Sequence, residues 1–377
     1  MAAPGAISRV GRLAAALGLR RVLVTSDRGI VAAGLTRRAL ESLEAAGVEA
    51  APFSDFAANP TESDAARGAE RARGLSVDGL VAVGGGSSMD MAKAIGFLLA
   101  GGGRVSDYRG FDRCPAPLPP LVGVPTTAGT GSEAQSYALI SRDEDHQKCA
   151  CGAPSAMFRA VVLDPSLLPS APPDVKAATG FDALAHSIES AVSTRATPDS
   201  RRLSHEAFRR IARSWPRLLP RRSGGGDARG SEDRARLWED MQLGAFFAGA
   251  AIERSMLGAA HALANPLTRR FGTPHGEALS VTLPAVIEWN APEASVGYRD
   301  LLEKAGLVPG RRPAETLAGL VRDWISAAGL PPRLHAIRAP RQAIRGLAEE
   351  AAREWTGTFN PRPFDLGSAE EIYRTCA

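Results

Sequence analysis

A chain of 377 residues is about twice the length of a usual domain, so two separately cored domains are expected. Its composition, 44% hydrophobic and 23% charged, is that of a soluble globular protein, and no apolar run approaches the roughly 18 residues of a membrane span. The net charge of +4 comes from scattered arginines, with lysine confined to Lys93, Lys148, Lys176 and Lys304, which argues against a nucleic-acid footprint.

At the start, MAAPGAISRVGRLAAALGLRR has no continuous apolar core before a cleavage-type site, so no secretory signal is expected and the cytoplasm is the default location. From there to residue 165, short β-branched runs (RVLVTS, VEAAPF, GLVAVGGG, PLVGVPTT, AVVLD) alternate with alanine-rich helical segments. Such alternation predicts an α/β domain with a mostly parallel sheet covered on both faces. SYALIS reads as a further strand or a hairpin arm. Over 166–377 the β signal fades into long amphipathic patterns, such as PDVKAATGFDALAHSIESAV and RRLSHEAFRRIARSW, which predict an all-helical second domain. Between them, RLLPRRSGGGDARGSEDRARL mixes both charge signs with glycine and reads as a solvated loop between helices. Cys114, Cys149, Cys151 and Cys376 fit no CxxC or zinc-ribbon spacing and are expected to be reduced and structural.

Three segments of the first domain point to a dinucleotide. GLVAVGGGSSMDMAKA ends a buried strand on Gly84, Gly85 and Gly86, followed by Ser87 and a helix whose start favours an anion. The pattern is not G-x-G-x-x-G, and a serine-capped turn with Asp90 as capping-box partner is a common alternative without a ligand. VPTTAGTGSEAQ supplies the hydroxyls of Thr126, Thr127, Thr130 and Ser132 after another strand. Asp27 ends the first strand, where a carboxylate accepts from the hydroxyls of an adenosine ribose and repels a 2′-phosphate, favouring NAD over NADP; a turn residue before Gly29 is the alternative.

The second domain carries ligand-type side chains. Asp182 and His186, at i and i+4 in TGFDALAHSIES, share a helix face roughly 5 to 6 Å apart. With His261 and His275 of GAAHALANPLTRRFGTPHGEA they form one aspartate and three histidines, a set suited to Fe²⁺ or Zn²⁺. Such a metal acts as a Lewis acid on an alcohol or carbonyl oxygen while a nicotinamide exchanges the hydride, which demands a cleft between cofactor and metal domains.

Taken in series, GGGSSMDMAK, PTTAGTGSE, the DP of VVLDPSLL, GFDALAHSIES, the histidines ending in PHG, and NPRP from Asn360 resemble the iron-containing (group III) alcohol dehydrogenase family over nearly the whole chain. The resemblance implies a dinucleotide-binding α/β domain over 1–165 and an all-helical metal and substrate domain over 166–377. It implies a metal held by Asp182, His186, His261 and His275, and a dimer. It also implies a dinucleotide near Asp27, Asn59, Gly85, Gly86, Ser87, Thr126, Thr127, Thr130, Lys148 and Leu167. The activity implied is an NAD-dependent alcohol dehydrogenase or aldehyde reductase acting on a small molecule. One position departs from the family: Asn265 stands where many members carry a histidine near the substrate. Asparagine orients a hydroxyl or water but does not exchange a proton near neutral pH, so Asn265 and His275 are the expected catalytic positions and a histidine relay is absent. That Asn265 only shapes the pocket ahead of Pro266 is the competing reading. Gln135, where threonine is frequent, is expected with Tyr137 to face the cleft. Arg254, Arg269 and Arg270 flank the metal segment and would suit an anionic aldehyde, or else lie on helix surfaces. A dehydroquinate-synthase-like lyase shares the architecture, but its lysine-rich site is at odds with four lysines. An inactive binding subunit is at odds with an intact ligand set.

Overall fold

Among the described residues, eight strands form in the first half of the chain: β1 Arg21–Thr25, β2 Glu49–Phe53, β3 Gly79–Gly84, β4 Gly110–Phe111, β5 Leu121–Pro125, β6 Tyr137–Ser141, β7 Lys148–Gly152 and β8 Ala160–Val161. The computed structural model describes residues 1–57, 59–144, 147–219 and 231–377. The chain folds as two units, Met1–Ala171 and Pro172–Ala377.

In the first unit, five strands pair in parallel in the order β2-β1-β3-β5-β8. Every residue of β3 and β5 is buried, as expected of strands covered on both faces. Alternate side chains sort accordingly. Leu23, Leu80, Ala82 and Leu121 pack with residues of α4 (Glu62–Gly74) and α5 (Gly86–Gly101). Val22, Val24, Val81, Val83, Val122 and Val124 pack with α1 (Val10–Ala16) and α3 (Leu35–Ala45). A short helix, α2 (Arg28–Ala32), follows β1. Because β1 connects to β2 on one side and β3 lies on the other, the strand order reverses between β1 and β3. The crevice at the carboxyl ends of those two strands is where open α/β sheets bind ligands.

SYALIS is a hairpin arm: β6 pairs antiparallel with β7, and β4 joins them in a separate three-stranded sheet. The N-terminal segment is integral to this unit. The α-ammonium of Met1 donates to the Val161 carbonyl at 2.8 Å, and Asp164 of the DP pair accepts from the Gly5 and Ile7 amides at 3.0 and 3.1 Å.

Helices make up the second unit: α6 Pro173–Val192, α7 Pro198–Leu218, α8 Ser231–Ser255, α9 Ala259–Phe271, α10 His275–Trp289, α11 Ala291–Lys304, α12 Pro313–Ala328, α13 Ile344–Ala351 and α14 Leu366–Thr375. Proline at the first position opens α6, α7 and α12, where its missing N–H has no intrahelical partner to lose. Nearly every residue of α6 from Ala177 to Ala191 is buried, so this helix is enclosed on all sides and its polar residues sit in the interior. Most of the glycine-rich charged run, residues 220–230, lies outside the described residues. No described helix is long and apolar enough to cross a membrane.

Candidate metal centre and dinucleotide cradle

On α6, Asp182, His186 and Glu189 recur at i, i+4 and i+7, one face of the enclosed helix. Asp182 Oδ1 faces three imidazole nitrogens: Nε2 of His186 at 3.2 Å, of His261 at 3.6 Å and of His275 at 3.8 Å. Ligand atoms on tetrahedral bonds of 2.0–2.1 Å stand roughly 3.4 Å apart, so these spacings leave room for one ion. Asp182, His261 and His275 together offer donor atoms all within 4.8 Å of one another. His186 adjoins that trio, with its ring stacked on His261 at a centroid distance of 4.9 Å. Asp182 Oδ1 and His261 Nε2 are buried with no hydrogen-bond partner, although buried polar atoms are normally satisfied. A cation supplies what these orphaned acceptors lack.

The electrostatics agree. Burial pushes the Asp182 carboxyl up, but the imidazoles, His186 foremost, hold it well below the usual carboxylate range. Burial pushes the His261 imidazolium toward deprotonation, while Glu189 and Asp182 raise it to about 9. Two buried carboxylates among imidazoles make a pocket that demands positive charge, and a divalent ion balances both. Three of the side chains are 4–7% exposed and His275 is 34% exposed, so the centre is enclosed except on the His275 side.

Local sequence explains the approach of each group. Gly272 in the left-handed conformation ends α9, and Pro274 starts α10, which puts His275 at the first helical position, as its proline and glycine neighbours predict. Gly276 lets α10 touch α6: a Cβ there would lie 1.9 Å from the Ala178 carbonyl oxygen.

Sequence reasoning missed Glu189. Its Oε1 accepts from the Ala260 amide at 2.7 Å and its Oε2 pairs with Nδ1 of His261. Asn360 of NPRP performs the adjoining task, accepting from the Ala259 amide at 3.1 Å while exchanging two hydrogen bonds with Asn290. The only signal available was spacing, seven residues after Asp182 and three after His186.

Asn265 lies one turn along α9 from His261 and donates from Nδ2 to Glu354 Oε2 at 3.0 Å. Glu354 also accepts from Arg269 at 3.2 Å, and Glu350 pairs with both Arg269 and Arg270. Arg254 donates to the Ala250 carbonyl at 2.7 Å. Of the two readings offered for these arginines, the contacts favour helix-surface residues over an anion site: carboxylates pair with two of them, and the third folds onto its own helix.

At the switch point of the first unit, Asp27 follows β1, Gly84 ends β3 and Gly85 to Ser87 follow it. Asp27 Oδ1 caps α2, accepting from the Gly29 and Ile30 amides at 2.9 and 3.1 Å, so the turn role holds. Its Oδ2 points toward Gly84, 3.5 Å from where a Cβ would sit. No side chain caps α5 at Gly85, and a helix start behind glycines favours an anion. Asp90 is not the expected capping-box partner; it accepts from Ser132 Oγ at 2.6 Å instead. Thr127 and Thr130 face the glycines, with Thr130 Cγ2 2.8 Å from a Cβ built on Gly86, and the buried Thr126 Oγ1 has no hydrogen-bond partner. These groups fit a diphosphate laid across backbone amides and hydroxyls.

Asn59 and Lys148 meet, Nζ donating to Oδ1 at 3.4 Å. Leu167 is fully buried in the apolar core, so a ligand could meet only its backbone. Gln135 turns its amide inward, donating to the Thr130 carbonyl at 2.7 Å. Beneath the threonine loop lies Lys93, another residue sequence reasoning passed over. Its buried ammonium donates to the carbonyls of Ser132, Gln135 and Tyr137 at 2.7–2.8 Å.

Comparison with known proteins bears on both sites. The sequence model of iron-containing alcohol dehydrogenase matches residues 1–165, and that of the C-terminal part of the same family matches 176–377. A choline dehydrogenase of Bacillus subtilis is 33% identical over 99% of this chain and 92% of its own. A lactaldehyde reductase of Escherichia coli is 30% identical over 95% of this chain and 92% of its own. The crystal structure of a 1,3-propanediol oxidoreductase superposes with a TM-score of 0.93 at 30% identity, covering 100% of this chain and 97% of its own.

Proposed function

The chain belongs to the iron-containing alcohol dehydrogenase family, whose members use NAD and iron, and from that premise we propose a metal-dependent, NAD(H)-dependent alcohol dehydrogenase that also runs as an aldehyde reductase. The observation that carries the reading is the convergence of Asp182 Oδ1 with three Nε2 atoms, two of the four atoms being buried without hydrogen-bond partners. Bound there, the ion supplies Lewis acidity to the alcohol or carbonyl oxygen, while NAD(H) takes or gives the hydride.

This chain's residues supply the rest. Asp182, His261 and His275, with His186 beside them, would hold the ion. Thr126, Thr127, Thr130, Gly85, Gly86 and Ser87 would receive the diphosphate, and Asp27 Oδ2 the adenosine ribose. Lys148 with Asn59, and the backbone at Leu167, would border the same cofactor. NAD rather than NADP follows from the Asp27 carboxylate, which repels a 2′-phosphate. Asn265, its amide set by Glu354, would orient a hydroxyl or water and exchanges no proton, which leaves water to take it. The pairing of Arg269 and Arg270 with carboxylates supports an uncharged small alcohol or aldehyde, the class of the lactaldehyde and 1,3-propanediol named in two relatives. We place the enzyme in the cytoplasm, where NAD is supplied, as a homodimer by family analogy.

The test is to strip the protein of metal, reload it with Fe²⁺ or Zn²⁺, and follow NADH absorbance over a panel of small alcohols and aldehydes. Turnover should return with metal and vanish with chelation. A protein inactive under every metal, or fully active without one, overturns the reading.

A further inference from the structure

The start of α9 is held by two side chains distant in sequence. Its first two amides, of Ala259 and Ala260, donate to Asn360 Oδ1 and Glu189 Oε1. Gly258 gives these acceptors access, since a Cβ there would lie 2.9 Å from each of those two oxygens. Helix starts usually find such partners in a neighbouring serine, threonine or aspartate. Here Gly258 offers none, and a carboxylate that is 4% exposed crosses from α6 to do it. The second oxygen of that carboxylate meets Nδ1 of His261, two residues inside the helix, whose Nε2 is turned toward Asp182.

An ionised carboxylate only accepts hydrogen bonds, so Nδ1 must carry the proton. Nε2 is then the nitrogen with the lone pair. We propose that Glu189 is a positioning residue for the metal centre: one carboxylate fixes which ring nitrogen of His261 is available to the ion and, through the Ala260 amide, fixes the helix turn that carries the ring. The proposal rests on the metal reading given above.

Glu189→Gln is the informative substitution because it keeps the shape and breaks the pattern. An amide has one acceptor end and one donor end. With its oxygen on the Ala260 amide, its NH₂ faces Nδ1 and drives the ring proton onto Nε2, where the ion needs the lone pair. Turned over, it sets its NH₂ against the Ala260 N–H. Either orientation damages one function of the native carboxylate.

The experiment compares wild type, Glu189→Gln and His261→Ala as full-length apoproteins, titrated with Co²⁺ and with Zn²⁺ against a competing chelator. It records the visible ligand-field bands of Co²⁺ and the thermal midpoint of each apoprotein. Glu189→Gln should bind about 10- to 100-fold more weakly, with altered Co²⁺ bands. Wild-type affinity and bands in Glu189→Gln overturn the proposal, and so does a lower apoprotein midpoint with metal affinity unchanged, which would make Glu189 a helix cap alone. His261→Ala separates the two readings: if it binds metal like wild type, the site assignment itself fails. Should Glu189→Gln not fold, nitrogen-15 spectra of the histidine side chains in Zn²⁺-loaded wild type decide. A proton on Nδ1 of His261 is expected, and a proton on Nε2 overturns the proposal.

Discussion

In residues 1–171 the groups gathered at the sheet's carboxyl edge are backbone amides, glycines and hydroxyls; in residues 172–377 they are carboxylates and imidazoles on enclosed helices. The contrast follows from what each site must hold. A diphosphate is large, already ionised and met by many weak donors, so no single side chain of the cradle is decisive. A metal ion is a point charge met by a few strong donors, here spread over α6, α9 and α10, so every one matters. Two buried titratable groups support the cradle from behind: Lys93 ties the threonine loop from beneath, and Glu133 sits in that loop.

Substitutions can break this contrast. The largest effect is expected from His275→Ala, which removes the most accessible ligand with little disturbance of the core. Metal content should fall and alcohol oxidation drop about 10³-fold, the several kcal/mol that a Lewis acid contributes; full activity in a metal-free variant would end the assignment. Next comes Lys93→Met. Stripping the ammonium leaves three buried or half-buried carbonyls without their donor, and denaturant unfolding should show a loss of about 3 kcal/mol or more. An unchanged midpoint would mean the loop is tied elsewhere.

Glu133→Gln sharpens the comparison through pH. Burial pushes the Glu133 carboxyl up to about 7 from an ordinary 4.5, only partly offset by its own backbone amide and Lys93. A raised carboxyl binds its proton more tightly when folded, so its contribution to stability falls as pH rises from about 4.5 to 7 and is level above. The change amounts to about 3 kcal/mol. Unfolding free energies measured from pH 4 to 8 should lose that slope in Glu133→Gln, and parallel curves would refute it. Smallest is Asp27→Gly, which removes the cap of α2 at roughly a few tenths of a kcal/mol and the repulsion of a 2′-phosphate. The ratio of NADP to NAD turnover should rise while NAD binding persists. Abolished NAD binding would show that the cradle depends on one side chain after all.

The alternation of strands and helices and the change to helices alone were legible because each is a local pattern, and so were some of the candidate ligand positions. Asp182 and His186 announce themselves at i+4, and His275 lies between a proline and a glycine that shape a helix start. What escaped the sequence depends on partners brought in by the fold. Glu189 becomes meaningful only when α9 begins against it, and Lys93 reads as one more residue of α5 until three carbonyls close around it. Asn265 was singled out, yet its partner Glu354 is 89 positions away, and the same carboxylate explains why Arg269 does not await an anion. β7 was not read as a strand, because KCACG lacks the branched residues that mark one.

The contact between Gly276 and the Ala178 carbonyl has a practical consequence for redesign. Anyone reshaping the substrate preference of this enzyme by randomising residues around His275 will find that position 276 returns glycine alone. The smallest added carbon pushes two backbones apart and carries the neighbouring His275, a proposed metal ligand, with it. Diversity is better introduced elsewhere, for instance at Asn265 and Glu354, where a side-chain pair meets without backbones in contact.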